Sequence, residues 1–222
     1  MTLVLWDLDG TLLRAGAPAR DAFTAAFLAV AGRPPTRRAG GISFAGRLDP
    51  WIAGQVCRAE GLDAEAEAAL LVQLPVELAA RRDRLAQEGV VLPHARETLA
   101  GLAAAGWHQG VVTGNLRATA HTKVSALGLG EHLDLEASAY GDDGPTRGAL
   151  VPIALSRAGR DAAGAWVVGD TPHDLACARA SGVRCLLVAT GGHSHDELAA
   201  LEPDAVLPDL QGALAVLTGS SP

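Results

Sequence analysis

From about residue 90 onward the chain alternates two hydrophobic patterns. Helical stretches with apolar positions three and four apart, at roughly 95–105, 116–127, 148–158 and 173–181, are separated by short apolar runs. Those runs are Gln109-Gly110-Val111-Val112-Thr113, Ala165-Trp166-Val167-Val168-Gly169 and Cys185-Leu186-Leu187-Val188-Ala189, and Leu3-Val4-Leu5-Trp6 is a further one at the amino-terminal end. Strands alternating with helices in this way predict βαβ units and a parallel sheet. The helical stretches end at Gly106, Gly128, Gly159 and Gly182, where a helix C-cap favours glycine. Residues 15–89 read differently, with Ala- and Leu-rich helical stretches at roughly 19–31, 50–60 and 64–87 and no alternating strand. The pattern predicts an α/β protein. Its core is a doubly wound, Rossmann-like parallel sheet built from residues 1–14 and 90–222, and residues 15–89 form an inserted all-helical cap domain. Gly16-Ala17-Pro18 and Val91-Leu92-Pro93 are the expected hinges at its two ends.

The chemistry concentrates at the predicted strand tips. Asp7-Leu8-Asp9-Gly10-Thr11 closes the first apolar run, placing two carboxylates and a glycine turn beside the crevice where open α/β sheets bind ligands. Paired acids there can share a metal ion and a reacting group. Thr113-Gly114-Asn115 ends the next predicted strand and opens a helix, so that a hydroxyl and the N–H groups of Gly114 and Asn115 can cradle a phosphate. Gly169-Asp170-Thr171-Pro172-His173-Asp174 ends a third, with two more carboxylates. Thr171, Pro172 and Asp174 also suit a helix start of the capping-box kind, which leaves Asp170 unexplained.

Composition narrows the classes. With 222 residues, 49% of them hydrophobic, the chain has material for a sizeable core. The net charge of −7 lies wholly outside residues 15–89, where nine Arg face nine acids, and such acidity argues against a nucleic-acid partner. A neutral, Arg-rich insertion suits a small anionic substrate. No apolar run approaches the ~20 residues of a membrane span and the chain starts on a strand, so a cytoplasmic protein without a membrane partner is expected. Cys57, Cys177 and Cys185 lack metal-ligand spacing and are expected to be buried thiols.

Asp-x-Asp-Gly-Thr, then a Thr tip, then Gly-Asp-x-x-x-Asp, with a helical insertion after the first motif, resembles the haloacid dehalogenase superfamily. The layout is similar to the branch holding phosphoglycolate phosphatases and beta-phosphoglucomutases. That resemblance implies a phosphatase acting on a small phosphorylated metabolite through an aspartyl phosphate. Asp7 would be the nucleophile and Asp9 the general acid and base. It also implies Mg²⁺ held by Asp7, the carbonyl of Asp9 and Asp170, with Asp174 ligating through water or orienting Asp170. Thr113, Gly114 and Asn115 would bind the phosphoryl oxygens. The family's basic residue, usually lysine, falls in Gly144-Pro145-Thr146-Arg147-Gly148, which makes Arg147 the candidate and a departure from the pattern. Lys123, the only lysine, falls on the helix after Thr113 and reads as solvated.

Asp9 favours phosphoryl transfer over carbon–halogen cleavage, and the insertion has no lysine for Schiff-base chemistry. A phosphomutase and a non-catalytic phosphate sensor stay open beside the phosphatase. Within the insertion, Gly40-Gly41-Ile42-Ser43-Phe44-Ala45-Gly46-Arg47-Leu48-Asp49 is the most ligand-like stretch. Arg47 is its substrate-reading candidate, with pairing to Asp49 as the alternative, and Trp51 is expected to pack in the helical core. His193 and His195 read as a polar loop opening a helix rather than metal ligands.

Overall fold

The computed structural model describes residues 2–36 and 39–219. Arg37 and Arg38, counted above among the insertion's cations, lie outside the described residues. In chain order the elements are β1 (Leu3–Trp6), β2 (Leu13–Arg14), α1 (Gly16–Ala31), α2 (Asp49–Glu60), α3 (Ala64–Ala79), α4 (Arg82–Glu88), β3 (Val90–Val91), α5 (Ala95–Ala104), β4 (His108–Val111) and α6 (Arg117–Ala126). There follow α7 (Leu150–Arg157), β5 (Trp166–Gly169), α8 (Pro172–Ala180), β6 (Arg184–Val188), α9 (His195–Ala199), β7 (Ala205–Leu207) and α10 (Ala213–Thr218). The five-stranded sheet has the order β4-β1-β5-β6-β7, with every pairing parallel.

Side chains of successive residues leave a strand on opposite faces, and both faces of this sheet are covered. Val4 and Trp6 of β1 join Trp166 and Val168 of β5 in one hydrophobic cluster. Leu3 and Leu5 join Val167, Cys185 and Leu187 in the other. The sheet is therefore apolar at nearly every position, which is why the strands read as runs and not as alternations. The chain passes from β1 to β4 on one side and then crosses to β5 on the other. That reversal of winding opens a crevice at the carboxyl ends of β1, β4 and β5.

Between β2 and β3 the described residues contain helices and no sheet strand. α1, α2 and α3 enclose a third cluster, with Phe27, Ile52, Val56 and Leu70 at its centre, and Leu116 from the loop after β4 packs into it. β2 and β3 pair antiparallel, Leu13 opposite Val91, so the chain leaves and returns side by side. The expected hinge at Gly16-Ala17-Pro18 is instead the first turn of α1, entered through Gly16 at φ +64°. The three cysteines are buried and free. No helix among the described residues is long and apolar enough to cross a membrane.

Candidate active site

β1 delivers Asp7 into the crevice with its side chain 6% exposed and its backbone N–H bonded to the Val168 carbonyl at 2.9 Å. Its Oδ1 lies 2.9 Å from the guanidinium of Arg147, which also reaches Asp174 Oδ1 at 2.5 Å. Asp170 follows β5 and accepts a hydrogen bond from the Thr11 hydroxyl at 3.3 Å. One carboxylate oxygen from each of Asp7, Asp170 and Asp174 lies within 4.8 Å of the others. Removal from water raises the proton affinity of a carboxylate, and neighbouring negative charge raises it further. Burial pushes Asp7 up to about 6 against the pull of Arg147. Asp170 is pushed up to about 8, first by burial and then by the charges of Asp7 and Asp174. Burial works against the charge on Arg147, yet Asp174 and Asp7 hold its proton more firmly than usual.

Three carboxylates against one guanidinium leave two negative charges uncompensated in a buried place. The donor set is hard oxygen throughout, and the two acids with raised proton affinity are those a cation would relieve. The cluster therefore fits a small divalent ion of the Mg²⁺ kind. Asp174 stands behind it: its Oδ2 accepts from the Thr171 N–H at 3.0 Å and the Thr171 hydroxyl at 2.6 Å, as a helix-starting residue does. The Nε of Arg147 is buried without a hydrogen-bond partner in the protein.

Asp9, two residues along, is in different company. Its side chain is 40% exposed, and Oδ2 accepts from Asn115 Nδ2 at 2.9 Å and from Lys123 Nζ at 2.5 Å. Lys123 Nζ also donates to Asn115 Oδ1 at 2.5 Å, and its side chain is only 8% exposed. This corrects the reading of Lys123 as a solvated lysine. On α6 the buried stripe is Thr119, Ala120, Lys123 and Val124, so the ammonium is carried along the inner face of the helix. The paired acids thus have a cation each, Arg147 on Asp7 and Lys123 on Asp9. Thr113 is fully buried, and its Oγ1 accepts from Asn115 Nδ2 at 2.8 Å. The Asn115 N–H turns back toward the same oxygen at 3.4 Å, so the expected cradle of outward amides is only partly formed.

A loop from the helical insertion completes the site. The Asp49 N–H donates to the Gly114 carbonyl at 2.7 Å, and Asp49 Oδ2 accepts from the Leu116 N–H at 2.8 Å and the Thr119 hydroxyl at 3.3 Å. An acid at the start of α2 thereby caps α6 from another element. Burial pushes Asp49 up to about 6, with Lys123 opposing. The loop sits so close to the core that a Cβ on Gly114 would fall on the Arg47 carbonyl, and one on Gly46 would strike His173 and Thr171 at 2.7 Å. Arg47 does not pair with Asp49; its guanidinium lies 4.5 Å above the ring of Trp51. Trp51 is 38% exposed, so it supports Arg47 and is not part of the helical core.

Every residue singled out from the sequence as catalytic, phosphate-binding or metal-binding lines one cavity of about 390 Å³, except Asp174, which is fully buried against Arg147. Asp49, the last residue of the ligand-like stretch, lines it too, as do Lys123, Arg14, Arg20 and Phe23, which the sequence had not marked as facing a ligand. His193 and His195 are not among the lining residues and flank Ser194, whose hydroxyl accepts from the Glu197 N–H at 3.3 Å at the start of α9.

The model of the haloacid dehalogenase-like hydrolase family matches residues 4–179, and a second model for hydrolases of this kind matches residues 146–213. The probable phosphatase IndB of Dickeya dadantii is 32% identical over 210 residues, spanning 92% of this chain and 88% of its own length. A plasmid-borne phosphoglycolate phosphatase of Cupriavidus necator is 32% identical over 225 residues, spanning 98% and 93%. The crystal structure of CbbY from Rhodobacter sphaeroides in complex with phosphate superposes with a TM-score of 0.79 at 20% identity, covering 98% of this chain and all of the other. With the family model spanning most of the chain and the acids of two strand tips gathered in one crevice beside the Thr113 tip, this protein belongs to the haloacid dehalogenase-like hydrolase family.

Proposed function

We propose that this protein is a Mg²⁺-dependent phosphatase that hydrolyses a small phosphorylated metabolite through an aspartyl phosphate on Asp7. The observation that carries the reading is the division of labour between Asp7 and Asp9. One is buried against Arg147 and Asp170, and the other is reached by Lys123 and Asn115, within one cavity. The relatives named as phosphatases and the phosphate bound by CbbY support it.

Asp7 attacks phosphorus in line with the departing alcohol, and Asp9 hands that alcohol a proton. Asp9 then takes a proton from the water that cleaves the acyl phosphate. A carboxylate approaching a phosphate dianion meets repulsion of several kcal/mol in a partly dry site, so compensating charge must already be in place. Arg147 supplies it beside Asp7. Asp7, Asp170 and the Asp9 carbonyl would hold Mg²⁺, which supplies charge neutralisation at the transferring group. Both oxygens of Asp174 already have protein donors, which favours its orienting role over direct ligation. Thr113, Gly114 and Asn115 bind the remaining phosphoryl oxygens, and Lys123 holds Asp9 toward the leaving group. Residues 15–89 act as a cap that selects the substrate over a core of residues 1–14 and 90–222. Arg47 reads the substrate from the cap side.

Phosphate release from a panel of phosphorylated metabolites tests the proposal. Turnover that needs Mg²⁺, stops with chelator and disappears in Asp7→Asn is the expected result. A folded protein that binds phosphate esters without releasing phosphate from any of them overturns it.

A further inference from the structure

The cavity above Asp7 has two unlike ends. At the core end the lining side chains include Asp7, Asp9, Thr113, Asn115, Lys123 and Arg147. At the other end α1, α2, α3 and the loop before α2 contribute Ala22, Phe23, Phe44, Ile52, Leu74 and Leu78. These six have no polar side-chain atom, and four of them, Ala22, Ile52, Leu74 and Leu78, are at most 8% exposed. A volume of about 390 Å³ lies within the range of sites that enclose a drug-sized ligand, roughly 300–1,000 Å³. A two-carbon acid anchored by its phosphate at Asp7 leaves the apolar end without a partner. A polyol turned toward that end loses hydrogen bonds to water and gains none, at a cost that burial does not repay.

The wall also has a specific shape. Phe23 and Phe44 meet edge to face, with ring centroids 5.1 Å apart and planes at 62°. Phe44 is 44% exposed although it is a large apolar side chain on a surface loop. A ring held edge-on by one neighbour and open on its other side is a stacking partner for a third ring. Arg20 and Arg47 line the same cavity, and neither pairs with a carboxylate among the described residues, so both offer donors to acceptor oxygens on a ring.

We infer that the alcohol part of the substrate carries an aromatic ring, seated between Phe44, Phe23 and the apolar wall of the helical insertion while the phosphate meets Asp7. The inference rests on the phosphatase reading and sharpens it.

The test compares kcat and KM, with Mg²⁺, for phenethyl phosphate and propyl phosphate, with acetyl phosphate as the smallest acceptable phosphoryl donor. The two alcohols are alike in acidity, so the ratio of their kcat/KM values reports the ring and not the leaving group. The phenethyl ester is expected to be preferred at least about tenfold, chiefly through KM. Phe44→Ala should collapse that ratio severalfold and Phe44→Tyr should keep it, and Phe44 is exposed enough for both variants to fold. Equal or better use of the propyl ester, or a ratio untouched by Phe44→Ala, overturns the aromatic assignment and leaves the phosphatase standing. No release from either ester or from acetyl phosphate overturns the phosphatase reading, and the inference falls with it.

Discussion

Asp7 and Asp9 are separated by one residue, and the chain gives them opposite surroundings. Asp7 is almost wholly enclosed, faces Asp170 and Asp174, and has one guanidinium for company. Asp9 keeps 40% of its side chain open and is gripped by an ammonium and an amide. Identical side chains separated into different roles by burial and neighbours are how one fold runs nucleophilic and acid–base steps at the same pH. Strand alternation would put both acids on one face, but β1 ends at Trp6, and a turn closed by the Thr11, Leu12 and Leu13 N–H groups on the Leu8 carbonyl takes Asp9 out of the strand while Leu8 is buried in the core.

The largest effect is expected at the enclosed acid. Asp7→Asn should lower kcat by at least ~10³-fold, since no other carboxylate stands where Asp7 does. Single-turnover phosphate release measures it, and residual activity within tenfold of the parent would remove Asp7 from the nucleophile's role. Next come the open acid and its partner. Asp9→Asn and Lys123→Met should each cost ~10²-fold or more in kcat, and the double variant little beyond the worse single one, because they act as a unit. Additive losses in that cycle would separate Lys123 from Asp9.

Arg147 and Lys123 sharpen the comparison further. Arg147→Met should cost roughly 10²-fold, whereas Arg147→Lys keeps a point charge beside Asp7 and should stay within about tenfold of the parent. A Lys variant as poor as Met would show that the planar guanidinium itself is needed. Asp49→Ala removes the cap that the insertion places on α6 and should destabilise by ~1 kcal/mol, or about 2–4 °C in Tm, with a rise in KM. An unchanged Tm and KM would reduce the contact to a passive one.

The smallest expected effect is on stability against pH without divalent metal. With its carboxyl pushed up to about 8, Asp170 binds a proton in the folded state at pH values where the unfolded chain has released it. Folding then takes up protons, so stability falls as pH rises toward 8. His173, lowered from 6.5 first by burial and then by Arg47, begins to oppose this below its ordinary value. The clean window is therefore pH 6.5 to 8, where Tm should drop by a few °C without metal and by less with Mg²⁺. A flat or rising Tm without metal contradicts the picture of three acids crowding one site.

The sheet was largely legible because each main strand is an apolar run and each following helix stops at a glycine. Gly106, Gly128, Gly159 and Gly182 all take positive φ where the pattern placed them. β7 was not legible, since three half-buried residues at the sheet edge are too few to show a period. Neither was the β2–β3 pair, two residues on each side. Within the site, residues at strand tips could be found because a strand end is a local signal. Lys123 was misread although its neighbours Thr119, Ala120 and Val124 mark the inner face of α6, a stripe that places the ammonium inside. Asp49 carries no comparable local mark. An acid before Pro50 reads as the start of its own helix, and only the fold shows it serving another.

The pairing of Leu13 with Val91 has an evolutionary consequence. Entry and exit are adjacent strands of one short ribbon, about 5 Å apart, so a replacement segment has only to begin and end close together to be spliced between them. Catalytic machinery and selectivity can then be inherited separately, by recombination at a junction that leaves the register of the parallel sheet untouched.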